Sequence, residues 1–156
     1  MKNLLIVAHT PSVNTKTLAD AILDGAQDAE VDGVNSVLRS PFECNAESVL
    51  QHDGLVLFTT ENFGSMSGAL KDFFERIYYP CLEAGNLNNA KPYSLVVRAG
   101  LDGAGTQVSV KKIINGLKWQ SVMPDLICKG TYQAEFEDQC RILGMTMAAG
   151  IGSEIF

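Results

Sequence analysis

The chain predicts an α/β domain, a five-stranded parallel sheet with helices on both faces, and three observations carry that prediction. Short apolar runs alternate with segments whose apolar residues recur at helical spacing. The strand runs are apolar throughout rather than at every second residue, as expected of strands covered on both faces. No repeat, low-complexity stretch or linker interrupts the alternation, so residues 1–156 read as a single domain. A chain of 156 residues should bury roughly 70% of its unfolded surface, enough for a substantial core.

The elements follow in order. NLLIVA (3–8) is the first strand, and Leu18, Ile22, Ala26 and Ala29 mark the first helix. VNSVL (34–38) is the second strand, and CNAESVLQH (44–52) suits a short helix. GLVLFTT (54–60) is the third strand, followed by a helical face of Leu70, Phe73, Phe74, Ile77 and Cys81. YSLVVRA (93–99) is the fourth strand, and Val110, Ile113, Ile114 and Leu117 mark a helix ending near Trp119. PDLICKG (124–130) is the fifth strand, and Phe136, Cys140, Leu143 and Met147 define the last helix. The one long connection is PCLEAGNLNNAKP (80–92), a length often found in functional loops.

Composition narrows the function classes. Hydrophobic residues make up 46% of the chain, which excludes disorder. A net charge of -6, with no run of Lys or Arg, argues against a nucleic-acid partner. Four cysteines at 44, 81, 128 and 140 have no CxxC spacing and only two histidines accompany them, so a zinc site is not expected. The opening MKNLLIVAH has no small-residue cleavage site after it, so the cysteines read as reduced thiols and the expected location is cytoplasmic. No apolar stretch approaches the ~18 residues a membrane span needs, so no membrane partner is expected.

Open parallel sheets place ligands beyond the carboxyl ends of their strands. Three such ends are followed by loops rich in Gly, Ser, Thr and Asn: HTPSVNTKT (9–17), ENFGSMSG (61–68) and AGLDGAGTQ (99–107). The first runs into a helix, whose start offers unpaired N–H groups and a positive dipole end. Thr10, Ser12, Asn14, Thr15 and Thr17 could add hydroxyl and amide donors around an anion, with Lys16 the only cation among them. Helix capping alone is the simpler reading, but it needs one or two such residues rather than five. The GxxxxGK[ST] phosphate loop is absent, GxGxxG does not follow the first strand, and the strand ends His9-Thr10 and Thr59-Thr60 lack the carboxylates of a phospho-acceptor domain.

These residues resemble the flavodoxin-like family, whose first loop follows a T-x-T-G-x-T pattern around the phosphate of FMN. Here the pattern reads Thr10-Pro11-Ser12-Val13-Asn14-Thr15, with Val13 where a smaller residue is usual and Ala8 where an aromatic is common. TTENFGSMSGALKDFFE (59–75) is similar to the matching stretch of flavodoxin-like NAD(P)H:quinone oxidoreductases of the tryptophan-repressor-binding-protein type and of NADPH-dependent FMN reductases. In those proteins a T-R-F-G-like segment lies along the isoalloxazine ring; it maps to Glu61-Asn62-Phe63-Gly64, with Asn62 in place of the usual arginine or tyrosine. Ala99 to Gly105 matches the family's Gly-rich ring-edge loop.

The resemblance implies a flavodoxin-like three-layer sandwich with strand order 2-1-3-4-5. It also implies an FMN site: the phosphate at Thr10, Ser12, Asn14, Thr15 and Thr17, the ring along Glu61, Asn62, Phe63 and Gly64, and its edge at Ala99, Gly100, Gly103 and Gly105. Glycines let backbone approach a flat ring, and backbone N–H groups of the third loop could donate to flavin N1, O2 and N5. NADH or NADPH would deliver hydride to N5, and a quinone or similar small molecule would accept it. No catalytic side chain is assigned, because the cofactor does the chemistry. A neighbouring copy often helps close the site in such reductases, so a homo-oligomer is an expectation.

Two other classes stand beside this reading. A flavodoxin would carry electrons without a substrate of its own, but such carriers usually sandwich the ring between aromatics, and AGLDGAGTQ has none. A flavin-free interaction protein does not need the three-loop pattern. Several residues keep two readings: His9 faces the site or caps its neighbours, Glu61 meets the ring or is a solvated loop acid, Arg98 pairs with a phosphate or a local carboxylate, and Tyr78 and Tyr79 pack in the core or stack on a substrate.

Overall fold

The computed structural model describes residues 1–156. Its elements run β1 (Lys2–Ala8), α1 (Val13–Ala26), β2 (Val34–Arg39), α2 (Ala46–Leu50), β3 (Gly54–Asn62), β4 (Ser65–Met66), α3 (Gly68–Glu83), β5 (Pro92–Ala99), α4 (Ala104–Leu117), β6 (Gln120–Ser121), β7 (Leu126–Lys129) and α5 (Glu135–Gly152). The sheet order is β2-β1-β3-β5-β6, with β7 also on β5 and β4 on β3. Pairing is parallel except for the β3–β4 hairpin. The expected order of the main strands is therefore present, since the fourth expected strand is β5 and the fifth lies beside it.

The continuous apolar runs form strands because both faces are covered. Alternate residues point to opposite sides. Leu5, Val7, Leu55, Leu57, Leu95 and Val97 pack with Leu70, Phe73, Phe74, Ile77, Val110 and Ile114 of α3 and α4. Leu4, Ile6, Val56, Phe58 and Val96 pack with Leu18, Ile22, Cys140, Leu143 and Met147 of α1 and α5. All four cysteines are free and buried within these two cores. No helix is long and apolar enough to cross a membrane.

The structure corrects the expected sheet in two places. It has seven strands rather than five, because Ser65–Met66 folds back on β3 and because the edge strand is broken. The register on β5 shifts by two residues between the pairs Pro92–Gln120 and Val96–Leu126. Pro124 stands in the break, where its missing N–H breaks no ladder bond. Asp125, also in the break, accepts from Lys111 Nζ and Gln107 Nε2, each at 2.8 Å, and so moors the edge to α4.

The long connection at 80–92 is also corrected. α3 runs through Pro80 to Glu83, and Gly85–Leu87 forms a 3-10 turn. Pro80 lies in the last turns of the helix, where one lost bond is tolerated. The rest of the connection precedes β5, at the amino ends of the strands and opposite the candidate site. It is held by Asn88, which donates to the Leu117 carbonyl at 2.8 Å and accepts from Trp119 Nε1 at 2.6 Å.

Candidate cofactor site

The sheet order reverses between β1 and β3: the chain goes outward from β1 to β2, then builds β3 and β5 on the other side. In such sheets the crevice beyond the carboxyl ends at this point takes the ligand. The loops after β1, β3 and β5 meet there.

The first loop leaves β1 tied to β3, with the His9 N–H donating to the Phe58 carbonyl at 3.1 Å. Ser12, not His9, caps α1. Ser12 and Thr15 form a reciprocal box: Thr15 N–H donates to Ser12 Oγ at 3.2 Å, and Ser12 N–H to Thr15 Oγ1 at 3.0 Å. The Thr15 hydroxyl lies 3.0 Å from the Ser12 hydroxyl and 2.9 Å from the Ser12 carbonyl, to which it donates. The Thr17 hydroxyl donates to the Val13 carbonyl at 2.9 Å. Three of the five polar residues thus bond within the helix start: Ser12 and Thr15 cap it, and Thr17 bonds back to a carbonyl of its first turn. Thr10 is half-buried and Asn14 exposed. The N–H groups of Val13 and Asn14 have no partner in the chain. The Val13 side chain is 83% exposed, so its size leaves the turn unobstructed. Burial pushes the His9 imidazole below its ordinary pKa of 6.5, leaving it neutral near pH 7.

The second loop is a tight hairpin. β3 runs on through Glu61 and Asn62, which pair with Met66 and Ser65. Phe63 and Gly64 make the turn with φ of 51° and 72°, the positive values that a two-residue type I′ connection requires. The hairpin is fastened to α4. The Thr106 hydroxyl donates to the Ser65 carbonyl at 3.0 Å, and Met66 N–H donates to Ser109 Oγ at 3.3 Å. The Phe63 side chain stands fully exposed.

The third loop gives two of its expected residues other duties. Glu61 is not a free loop acid. Its Oε1 accepts from Leu101 N–H at 2.9 Å and its Oε2 from Gly103 N–H at 2.7 Å. Both N–H groups, including that of Gly103, an expected donor to the ring, are engaged within the chain. Gly105 lies against the hairpin: a Cβ there would sit 2.1 Å from the Gly64 carbonyl oxygen. Its missing side chain permits this contact. Gly103 caps α4 in the left-handed region with φ of 70°. Gly100 has open space where a Cβ would stand, and Ala99 is buried at the end of β5.

Arg98 meets no carboxylate. Its Nη1 donates to the carbonyls of Ala99 at 2.9 Å and Cys128 at 3.0 Å, and its guanidinium lies 5.5 Å from the Phe136 ring and 5.9 Å from Tyr132. Tyr78 packs against the α3–α4 core and Tyr79 is exposed, both on the part of α3 farthest from the crevice. Thr60 lies in the carboxyl-terminal half of β3. Its hydroxyl is buried without a partner.

This donor set fits FMN. Two unpaired N–H groups at a helix start suit a phosphate, and the open Gly100 and the exposed Phe63 suit a flat ring.

The fold and crevice define a flavodoxin-like α/β protein. The family model described as NADPH-dependent FMN reductase matches residues 1–131, and the chain belongs to that family. It is 32% identical over 77 residues to a flavodoxin of Aquifex aeolicus, a match spanning 49% of this chain and only 40% of that protein. Among solved structures, a flavodoxin from the domain Archaea aligns with a TM-score of 0.78 at 17% identity, covering 96% of this chain and 98% of that one. A flavodoxin, WrbA-like protein from Agrobacterium tumefaciens aligns with a TM-score of 0.76 at 16% identity, covering 97% and 98%. At these identities the two structures establish the shared fold.

Proposed function

We propose that the chain is an FMN-dependent oxidoreductase that draws electrons from NADH or NADPH and passes them to a quinone or similar small molecule. Bound FMN supplies the hydride-exchanging centre; the chain binds it, orients it and leaves one face open. The unpaired N–H groups of Val13 and Asn14, with the Thr10 hydroxyl and the Asn14 amide, hold the phosphate against the α1 dipole. The Ser12–Thr15 box keeps that turn rigid. Phe63, exposed, would lie along the ring, and the open backbone at Gly100 would admit its edge.

The observation that carries this reading is an asymmetry. Phe63 offers one aromatic face from the second loop, while residues 99–105 offer none. A ring covered on one side leaves the other for a nicotinamide and then an acceptor, as turnover needs. The similarity to flavodoxins favours a second reading, an electron carrier without a substrate.

Anaerobic mixing separates the two. The FMN-loaded chain should bleach rapidly on adding NADH or NADPH and regain colour when a quinone follows. Bleaching by dithionite but by neither nucleotide would replace the reductase with the carrier. A purified chain that gives no saturable FMN titration would remove both.

A further inference from the structure

We propose that Glu61 is a positioning residue, a latch that holds the third loop in its ring-binding shape before any ligand arrives. The loop from Gly100 to Gly103 is exposed except at Gly103. One of its bonds is local, from Ala104 N–H to Asp102 Oδ1 at 3.0 Å. The only side chain outside the loop that bonds its backbone is Glu61, which takes Leu101 N–H and Gly103 N–H on its two oxygens. Bonds from N–H to a carboxylate are about twice as strong as neutral ones. Glu61 is itself fixed, because its backbone pairs with Met66 in the hairpin and the hairpin is bonded to Thr106 and Ser109 of α4. One carboxylate therefore joins β3, the hairpin and the third loop.

Two consequences follow. The N–H groups of Leu101 and Gly103 are not those that meet a ring, which leaves Gly100 and Asp102 as the loop's unpaired donors. The loop is also ordered in advance, so a ring entering between Phe63 and Gly100 does not have to fix it, and pre-ordering raises affinity. The first half of this proposal concerns the chain alone; the second rests on the flavin reading.

The test uses Glu61→Ala and Glu61→Gln, the second keeping the size of the side chain. Amide hydrogen exchange on the ligand-free chains should show Leu101 and Gly103 exchanging at least about tenfold faster in Glu61→Ala, with α4 and the β3 core unchanged. Titrations with FMN, riboflavin and inorganic phosphate should then separate ring from phosphate. FMN and riboflavin should weaken by the same factor, about tenfold, in Glu61→Ala and less in Glu61→Gln, while inorganic phosphate binds as before. Unchanged exchange at Leu101 and Gly103 would overturn the latch whether or not the chain binds flavin. Unchanged or tighter FMN binding by Glu61→Ala would overturn its role toward the ring. A wild-type chain that binds no flavin but shows the exchange effect would keep the latch and remove the flavin reading alone.

Discussion

Phe63 carries two costs at once. Its backbone sits at φ 51°, where a residue other than Gly or Asn is disfavoured, and its ring is wholly in solvent. Stored strain of this kind concentrates at functional sites, where a ligand repays it. Phe63→Asn turns the hairpin tip into Asn-Gly, the preferred type I′ pair, and should stabilise the chain by about 1 kcal/mol, raising Tm by roughly 2–4 °C in thermal unfolding. On the proposed reading the same substitution weakens FMN, because the ring loses its one aromatic neighbour. A stability gain with FMN affinity intact would place Phe63 outside the site. The sequence exposes the aromatic and the glycine beside it, but not the strain, which depends on Ser65 and Met66 folding back on β3. Glu61 is a similar case. A carboxylate among Gly and Asn reads as solvated until the third loop, 40 residues on, is seen to bring two N–H groups to it.

Among elements, the docking of the hairpin on α4 makes the sharpest demand. Gly105→Ala would drive a Cβ to 2.1 Å from the Gly64 carbonyl, so hairpin and helix must part. Overpacking of this kind costs about 1–3 kcal/mol, and the expected result is a lower Tm with enhanced exchange at Ser65 and Met66. Gly100→Ala, with open space at that position, should leave Tm unchanged and serves as the control. Elements whose signal is their own burial were legible in the sequence: β1, β3 and β5 as continuous apolar runs, and α3 and α5 as apolar faces at helical spacing. Elements defined by a partner were not. β4 is two residues long and exists only as the return arm of a turn. The break between β6 and β7 shows only when both halves are laid against β5. The long connection is expected from residue 80, but α3 runs on through Pro80 to Glu83. The first loop was half legible. Its hydroxyls are visible, yet the division between capping by Ser12 and Thr15, a back-bond from Thr17 to the Val13 carbonyl, and free donors at Val13 and Asn14 requires the bonds themselves.

For the molecule as a whole, the first loss of stability on acidification is expected from its two histidines, one at each end of the sheet. His9 opens the loop at the carboxyl end of β1, and His52 precedes β3 at the amino end. Burial pushes both imidazoles below 6.5; at His52 the bond to the Ser48 carbonyl opposes this and nearby Arg39 and Lys91 add to it. The sign follows from proton counting. About a unit or more above pH 6.5 both rings are neutral in the folded and unfolded chain, and neither affects stability. As pH falls below that value the unfolded chain takes up protons first, so the folded state loses ground until pH passes the folded pKa values. Tm should therefore be flat from about pH 8 to 7 and begin to fall near 6.5, ahead of the carboxylate range. The double variant His9→Asn, His52→Gln should flatten that early slope, and each single variant should remove part of it, because the rings lie too far apart in the fold to share a proton. A slope between about pH 6.5 and 5 that survives the double variant would assign it to carboxylates instead. Loading with FMN provides an internal check on the proposed site: a phosphate anion beside the first loop favours the imidazolium form of His9, so the slope due to His9 should shrink on loading while that due to His52 persists.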